Sequence, residues 1–325
     1  MTSSTPNPNW EEKYPTLATM PNYTNSTNNL ITENQWEHFE EKGWVVLPKS
    51  QVFQQENELT AIQETINAIQ TGTASVPYDQ MMMQLDSTTG KYEDSGSQTL
   101  GHKGASLRYR KIQNLDLCPL IMNYLRKPLY EEACRKIYGD NTPIASFRTM
   151  FFNKPSRLNA STSGGTSLPW HQDRWKYLDR DPLLNVYLAL DTAAPESGCM
   201  KIISGSHKYG VINPEHHSAF LSEKNCIDLG LLSDTSHANK GRQKNPNIED
   251  FWLHPGEVAL MHNWVIHCSG VNSTENSRRA LSISYMDARS KLNLENFSHY
   301  VGGELKTTGY PEGAMDFPKI FDAKK

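Results

Sequence analysis

The chain has 325 residues, 37% of them apolar, and a formal net charge of 32 − 36 = −4. That length can bury a substantial core and, at roughly 150 residues per domain, fits two domains or one large β-domain with extensions. No apolar run approaches the roughly 18 residues of a membrane helix, and the acidic balance disfavours general binding to nucleic acid or anionic membrane.

Residues 1–30 mix four prolines with many Ser, Thr and Asn, which predicts a flexible arm with no core of its own. They carry neither a basic-then-apolar signal pattern nor the Arg enrichment of a transit peptide. From 31 onward a single domain is expected. Thr32-x-x-Gln35 reads as a capping box opening a helix that Gly43 stops. Trp44–Leu47 follows as a strand, then a helix over 56–70 with Leu59, Ile62, Ile66 and Ile69 on one face. The stretch 73–105 is turn-rich and receives no assignment. Asp116 is expected to cap a helical segment, and Pro128 to open another that ends at Gly139.

Beyond 144 the texture changes to short β-type runs at 145–153, 184–191, 199–203, 256–261 and 280–287. Helices followed by many short strands predict a mainly β fold with flanking helices, a barrel or jelly roll. The polar stretch 206–251 reads as a lid-like insertion or a plain surface loop. Five scattered cysteines with no C-x-x-C argue against a disulfide framework or zinc ribbon and fit a reducing cytoplasm better. A monomer or weak homodimer is expected.

The chemistry concentrates in Trp170-His171-Gln172-Asp173. On an extended segment, residues i and i+2 share a face, so His171 and Asp173 can offer an imidazole and a carboxylate to one metal. A second imidazole would complete the 2-His-1-carboxylate set of non-haem Fe(II) oxygenases. His267 lies about 95 residues on, before a small-residue turn, and Arg278 opens a strand 11 residues later, suited to a bidentate carboxylate contact. The rival His38-Phe39-Glu40 falls on a helix, where i and i+2 diverge, and is read as helix surface. His207 and His262 are read as non-ligands, and strand alternation sends Arg279 to the face opposite Arg278. Arg108, Arg110, Arg148 and Trp175 are candidate contacts for an anionic substrate. His102, His216, His217, His237 and His299 stay unassigned.

These features resemble the phytanoyl-CoA dioxygenase family of Fe(II)/2-oxoglutarate oxygenases. The resemblance runs from about Thr32 to Asp287, through Glu41-Lys42-Gly43-Trp44-Val45-Val46-Leu47-Pro48, Lys111-Ile112-Gln113, Thr149-Met150-Phe151-Phe152-Asn153-Lys154-Pro155, the His171 segment, Glu196-Ser197-Gly198-Cys199-Met200, Ser204-Gly205-Ser206-His207-Lys208 and His267-Cys268-Ser269-Gly270. It implies a double-stranded β-helix core, with His171, Asp173 and His267 binding iron and Gln172 orienting them. It further implies that Arg278 holds the distal carboxylate of 2-oxoglutarate, with Ser269, Lys111 and Met150 nearby. O₂ is the second cosubstrate. The loop before 184–191 departs from the family pattern, and no pocket residue is carried over there. With Asp173 present, halogenation is disfavoured, because related halogenases replace that carboxylate with a small residue. The expected function is oxidation of an unactivated C–H bond in a small polar or carboxylate-bearing metabolite, by hydroxylation, cyclisation or desaturation, in natural-product biosynthesis. The alternatives are a fatty acyl-CoA 2-hydroxylase and a non-catalytic jelly-roll binding protein.

Overall fold

The structure, a computed structural model, describes residues 29–87, 89, 91, 94–156, 165–175, 178–212, 220–231, 247–291 and 317–324. The predicted arm falls outside these residues except at its last two positions, as do His216, His217, His237 and His299.

Helix α1 (Glu33–Lys42) starts at the predicted capping box: the Thr32 hydroxyl accepts from the Gln35 amide at 3.3 Å, and the Gln35 side chain accepts from the Thr32 amide at 2.9 Å. Gly43, at φ 80°, ends it and feeds strand β1 (Trp44–Leu47). After the short α2 (Lys49–Val52), helix α3 (Glu58–Thr71) buries the four predicted apolar residues, each contributing roughly 1.5–3 kcal/mol by leaving water. The unassigned stretch 73–105 yields strands β2 (Met82–Leu85) and β3 (Thr99–Leu100), and β4 (Tyr109–Gln113) follows. Asp116 does not cap a helix. It lies inside the 3₁₀ turn Leu115–Leu117, and α4 (Pro119–Leu125) begins with Cys118 at its N-cap and Pro119 in its first turn. Helix α5 (Pro128–Tyr138) stops at Gly139, as predicted.

The later strands are β5 (Ile144–Lys154), β6 (Leu168–His171), β7 (Leu184–Ala189), β8 (Met200–Ile203), β9 (Ile248–Phe251), β10 (Val258–His262), β11 (His267–Ser269), β12 (Arg278–Asp287) and β13 (Lys319–Phe321). Within the predicted insertion 206–251, helix α6 (Glu223–Asp228) is described, residues 213–219 and 232–246 are not, and the last four residues are β9, a strand of the core.

The strands form two antiparallel sheets. One has nine strands, ordered β1-β10-β7-β12-β5-β4-β2-β3, with β13 also pairing β5; the other has four, ordered β6-β11-β8-β9. This is the expected jelly roll. Alternation along the central strands divides the core in two. Leu184, Val186, Leu188, Leu281 and Ile283 pack against α1, α3, α4 and α5 on the outside of the large sheet. Tyr187, Ala189, Met261 and Ala280 face inward, against Met200, Ile202 and Phe251 of the small sheet. The site lies in this inter-sheet space. Among the described residues no helix is long and apolar enough to cross a membrane, and all five cysteines are free thiols.

Candidate active site

Strands β6 and β11 are antiparallel neighbours, and their register sets His171 directly opposite His267. The imidazole centroids are 4.1 Å apart. Asp173 follows two residues after His171, held by its amide donating to the Asn263 carbonyl at 2.8 Å. Its carboxylate lies 3.6 Å from His171 Nε2 and 4.0 Å from His267 Nε2. One ligand atom from each of the three residues falls within 4.8 Å of the others.

The histidines are oriented by their own strands. His171 Nδ1 lies 2.8 Å from the Pro169 carbonyl and His267 Nδ1 lies 2.9 Å from the Val265 carbonyl. A carbonyl only accepts, so each Nδ1 carries the proton and each Nε2 lone pair points at the shared centre. Such a carbonyl contact is a usual support for a metal-bound histidine. Protonation favours binding too. Burial, and then the neighbouring His171, push His267 down to about 4. Burial opposes the Asp173 charge, but the His171 hydrogen bond and the His267, His171 and Arg148 charges outweigh it and hold Asp173 at about 2. At neutral pH His267 is a neutral imidazole and Asp173 a carboxylate, a donor set with His171 that fits a ferrous ion.

Arg278 stands in the same cavity, of about 90 Å³, with Ser269 and Tyr187. It is 5% exposed; one terminal nitrogen donates to the Tyr187 hydroxyl at 2.6 Å, and its buried Nε has no partner among the described residues. Directly opposite on β5 is Lys154, also buried, whose ammonium donates to the Thr166 carbonyl. Burial, and then the charges of Arg278 and Arg110, push the Lys154 pKa well down. Two cations side by side in a sheet repel, so this end of the cavity is built for an anion. Arg279 turns away as alternation requires, forming a two-pronged ion pair with Asp191 at 2.8 Å on each prong.

The other expected residues divide. Arg110 reaches the cavity wall and donates to Gln84 at 2.8 Å. Lys111 and Met150 flank the wall: Lys111 pairs with Phe152 and lies 5.3 Å from the centre of its ring, and Met150 pairs with Ser282. Gln172 is a strut, donating to the Gly210 and Trp264 carbonyls at 2.8 Å each and accepting from the Ile212 amide at 3.1 Å. Arg108, Arg148 and Trp175 are not brought to the wall. Trp175 packs edge-on against Phe147, and the Arg148 guanidinium lies 5.0 Å from both ring centres. Neither His207 nor His262 joins the triad: His207 Nε2 lies 3.2 Å from the Glu40 carbonyl, and His262 Nδ1 accepts from the Trp264 amide. Lys154, Tyr187, Asn185 and Asn263 were missed as wall residues. Lys154 sits in a quoted family stretch, but only the β5–β12 register shows that it faces Arg278.

A jelly roll holding this triad beside a buried cationic anchor defines a non-haem iron, 2-oxoglutarate-dependent dioxygenase. The phytanoyl-CoA dioxygenase (PhyH) family pattern matches residues 39–280, and the chain belongs to that family. It is 27% identical to a probable phytanoyl-CoA dioxygenase of Caenorhabditis elegans over 54% of this chain, so the match spans about half (53%) of that relative's length. It is 22% identical to the human peroxisomal phytanoyl-CoA dioxygenase, covering 80% of this chain and 70% of the relative. A probable alpha-ketoglutarate-dependent hypophosphite dioxygenase of Stutzerimonas stutzeri is 24% identical, with 83% and 84% covered. Among solved structures, EctD from S. alaskensis with 2-oxoglutarate and 5-hydroxyectoine superposes with a TM-score of 0.57 at 18% identity, covering 83% of this chain and 82% of that one. The carbocyclase SnoK from nogalamycin biosynthesis gives 0.56 at 15% identity, with 82% and 89% covered. Both share the fold.

Proposed function

We propose that His171, Asp173 and His267 hold one Fe(II) and that Arg278, Lys154, Ser269 and Tyr187 hold the distal carboxylate of 2-oxoglutarate, flanked by Lys111 and Met150. The observation that carries this reading is the convergence of both free Nε2 atoms and the Asp173 carboxylate within 4.8 Å. Iron with 2-oxoglutarate and O₂ supplies oxidative decarboxylation to succinate and CO₂, coupled to oxidation of a C–H bond. The chain's own residues fix the ligands, neutralise the keto-diacid and exclude water.

The substrate is a small polar or carboxylate-bearing metabolite of specialised metabolism. Arg110 in the wall and the charges of Lys111 and Arg148 near Asp173 support an anionic group. The hypophosphite dioxygenase shows that a relative is named for a small anion. Hydroxylation, cyclisation and desaturation remain the candidate outcomes.

An anaerobic titration with Fe(II) and 2-oxoglutarate is expected to give a weak visible charge-transfer band that His171→Ala abolishes. Absence of the band in the wild type would sink the metal site. Under air, turnover on small acids but not on acyl-CoA esters is expected; activity confined to the esters would reverse the substrate assignment.

A further inference from the structure

The amide of Asn263 is buried in the cavity wall, and neither of its polar ends is bonded. The residue is 2% exposed, and neither Nδ2 nor Oδ1 has a hydrogen-bond partner among the described residues. Its main chain is fixed on both sides. The carbonyl accepts from the Asp173 amide at 2.8 Å, and the N–H donates to the Leu183 carbonyl at 3.2 Å. The residue is thereby tied to the Asp173 main chain, and it lines the cavity that holds the triad. Asn185 nearby is committed at both ends, donating to Ser282 and Ser284 and accepting from Ser282, whereas Asn153 spends its Nδ2 on the Leu107 and Tyr109 carbonyls and keeps an Oδ1 with no partner among the described residues.

A buried donor and a buried acceptor left together without partners cost the desolvation of both groups, unless a ligand supplies what they lack. The cosubstrate cannot serve both. Ionised 2-oxoglutarate carries only acceptors, so it can take a bond from Arg278 Nε or from Asn263 Nδ2 but gives nothing to Asn263 Oδ1. A single ligand that satisfies both ends presents a donor and an acceptor side by side.

We propose that Asn263 is a substrate-recognition residue and that the substrate carries a carboxamide-type edge, an N–H beside a C=O as in a primary amide, lactam or ureido group. That edge pairs with the Asn263 amide through two hydrogen bonds, next to Asp173. The inference rests on the iron and 2-oxoglutarate reading and narrows its polar metabolite to an amide-bearing one. A site built to bond such an edge rejects analogues without it far more strongly than an apolar pocket rejects a missing methylene.

The test uses the full-length enzyme loaded with Zn(II) and 2-oxoglutarate, which binds without turning over. Ligand-observed NMR is run on matched small molecules: amides, lactams and ureas in one arm, the corresponding carboxylates and esters in the other. Binding confined to the first arm is expected, at least about 10-fold weaker on Asn263→Leu. Should the leucine variant not fold, Asn263→Ala carries the same comparison. Equal binding in both arms, undiminished binding to the variant, or no binding to the wild type would overturn the proposal; a water satisfying Asn263 predicts the last two. Wild-type titration with Fe(II) and 2-oxoglutarate, run separately, reports on the underlying reading, so the two failures are distinguishable.

Discussion

His171 and His267 each spend Nδ1 on the carbonyl two residues earlier in their own chain, which fixes ring and tautomer before any metal arrives. The proposed anchor works by accumulation: Arg278 and Lys154 are paired across β12 and β5, and both are buried. Replacing either by Met removes a charged hydrogen-bond donor to the cosubstrate, worth roughly 1.5–3 kcal/mol, so 2-oxoglutarate should bind about 10–100-fold more weakly. Equilibrium titration of the metal-loaded protein checks this, and an unchanged Kd for Lys154→Met would remove Lys154 from the anchor. Asp173→Ala should abolish Fe(II) binding altogether, read by metal content after desalting. The triad and Arg278 were legible in sequence because each has a recognisable type and spacing. Lys154, Tyr187 and Asn263 were not, because nothing in their types distinguishes them from core or surface residues until the register is known.

Local devices at the level of elements aim these side chains. In β4, Lys111 opposes Gln84 while Tyr109 opposes Leu85, so Arg110 is the extra residue of a bulge. This bulge sends Tyr109 and Ile112 into the helix-side core and lets Arg110 reach the cavity wall. Simple alternation, which pairs Arg108 with Arg110, could not foresee it, and Arg108 lies outside the wall. The turn from α1 into β1 is equally constrained. Gly43 has φ 80°, and a Cβ there would lie 2.4 Å from His207 Nδ1 and 2.6 Å from Val265. Gly43→Ala should destabilise by about 2 kcal/mol or more, from left-handed strain plus the clash, measured by urea unfolding. Thr32→Ala, which removes the cap bond and the hydroxyl's bond to the Gln35 side chain, should cost about 1 kcal/mol in the same assay. A larger effect for Thr32 than for Gly43 would contradict this packing.

Across the whole molecule, charge and burial couple stability to pH and to ligand. His38, His207, His262 and His267 all have lowered pKa values, chiefly because burial disfavours their charged forms; His262 and His267 fall to about 4. Above about pH 6.5 neither folded nor unfolded chain protonates them. Below it the unfolded chain takes up protons that the native fold refuses, so stability falls as pH drops toward 4. Thermal unfolding of the apo-protein should therefore shift downward between pH 7 and pH 5; a flat profile would contradict the burial of these rings. Bound metal adds a further loss on acidification, because protons compete for the ligands. Lys111 and Lys154 are also pushed well below their ordinary values, chiefly by burial. Their cationic forms are held at a cost, which an anionic cosubstrate offsets. Saturating 2-oxoglutarate with a redox-inert metal should raise Tm by more than the metal alone.

The sequence by itself determined the capping-box start of α1, the glycine stops of α1 and α5, five of the short strands beyond residue 144, and the residue types from which the candidate triad and Arg278 were picked. Those features are local, carried by caps, glycine stops, period-2 alternation and rare residue types at short spacing. Tertiary structure decided which strands pair and in what register. It thereby set His171 opposite His267, Lys154 opposite Arg278, and Asn263 beside Asp173. Side chains separated by long stretches of chain meet only through ladders whose partners no local pattern names, so the cavity's remaining walls appear only in the folded molecule.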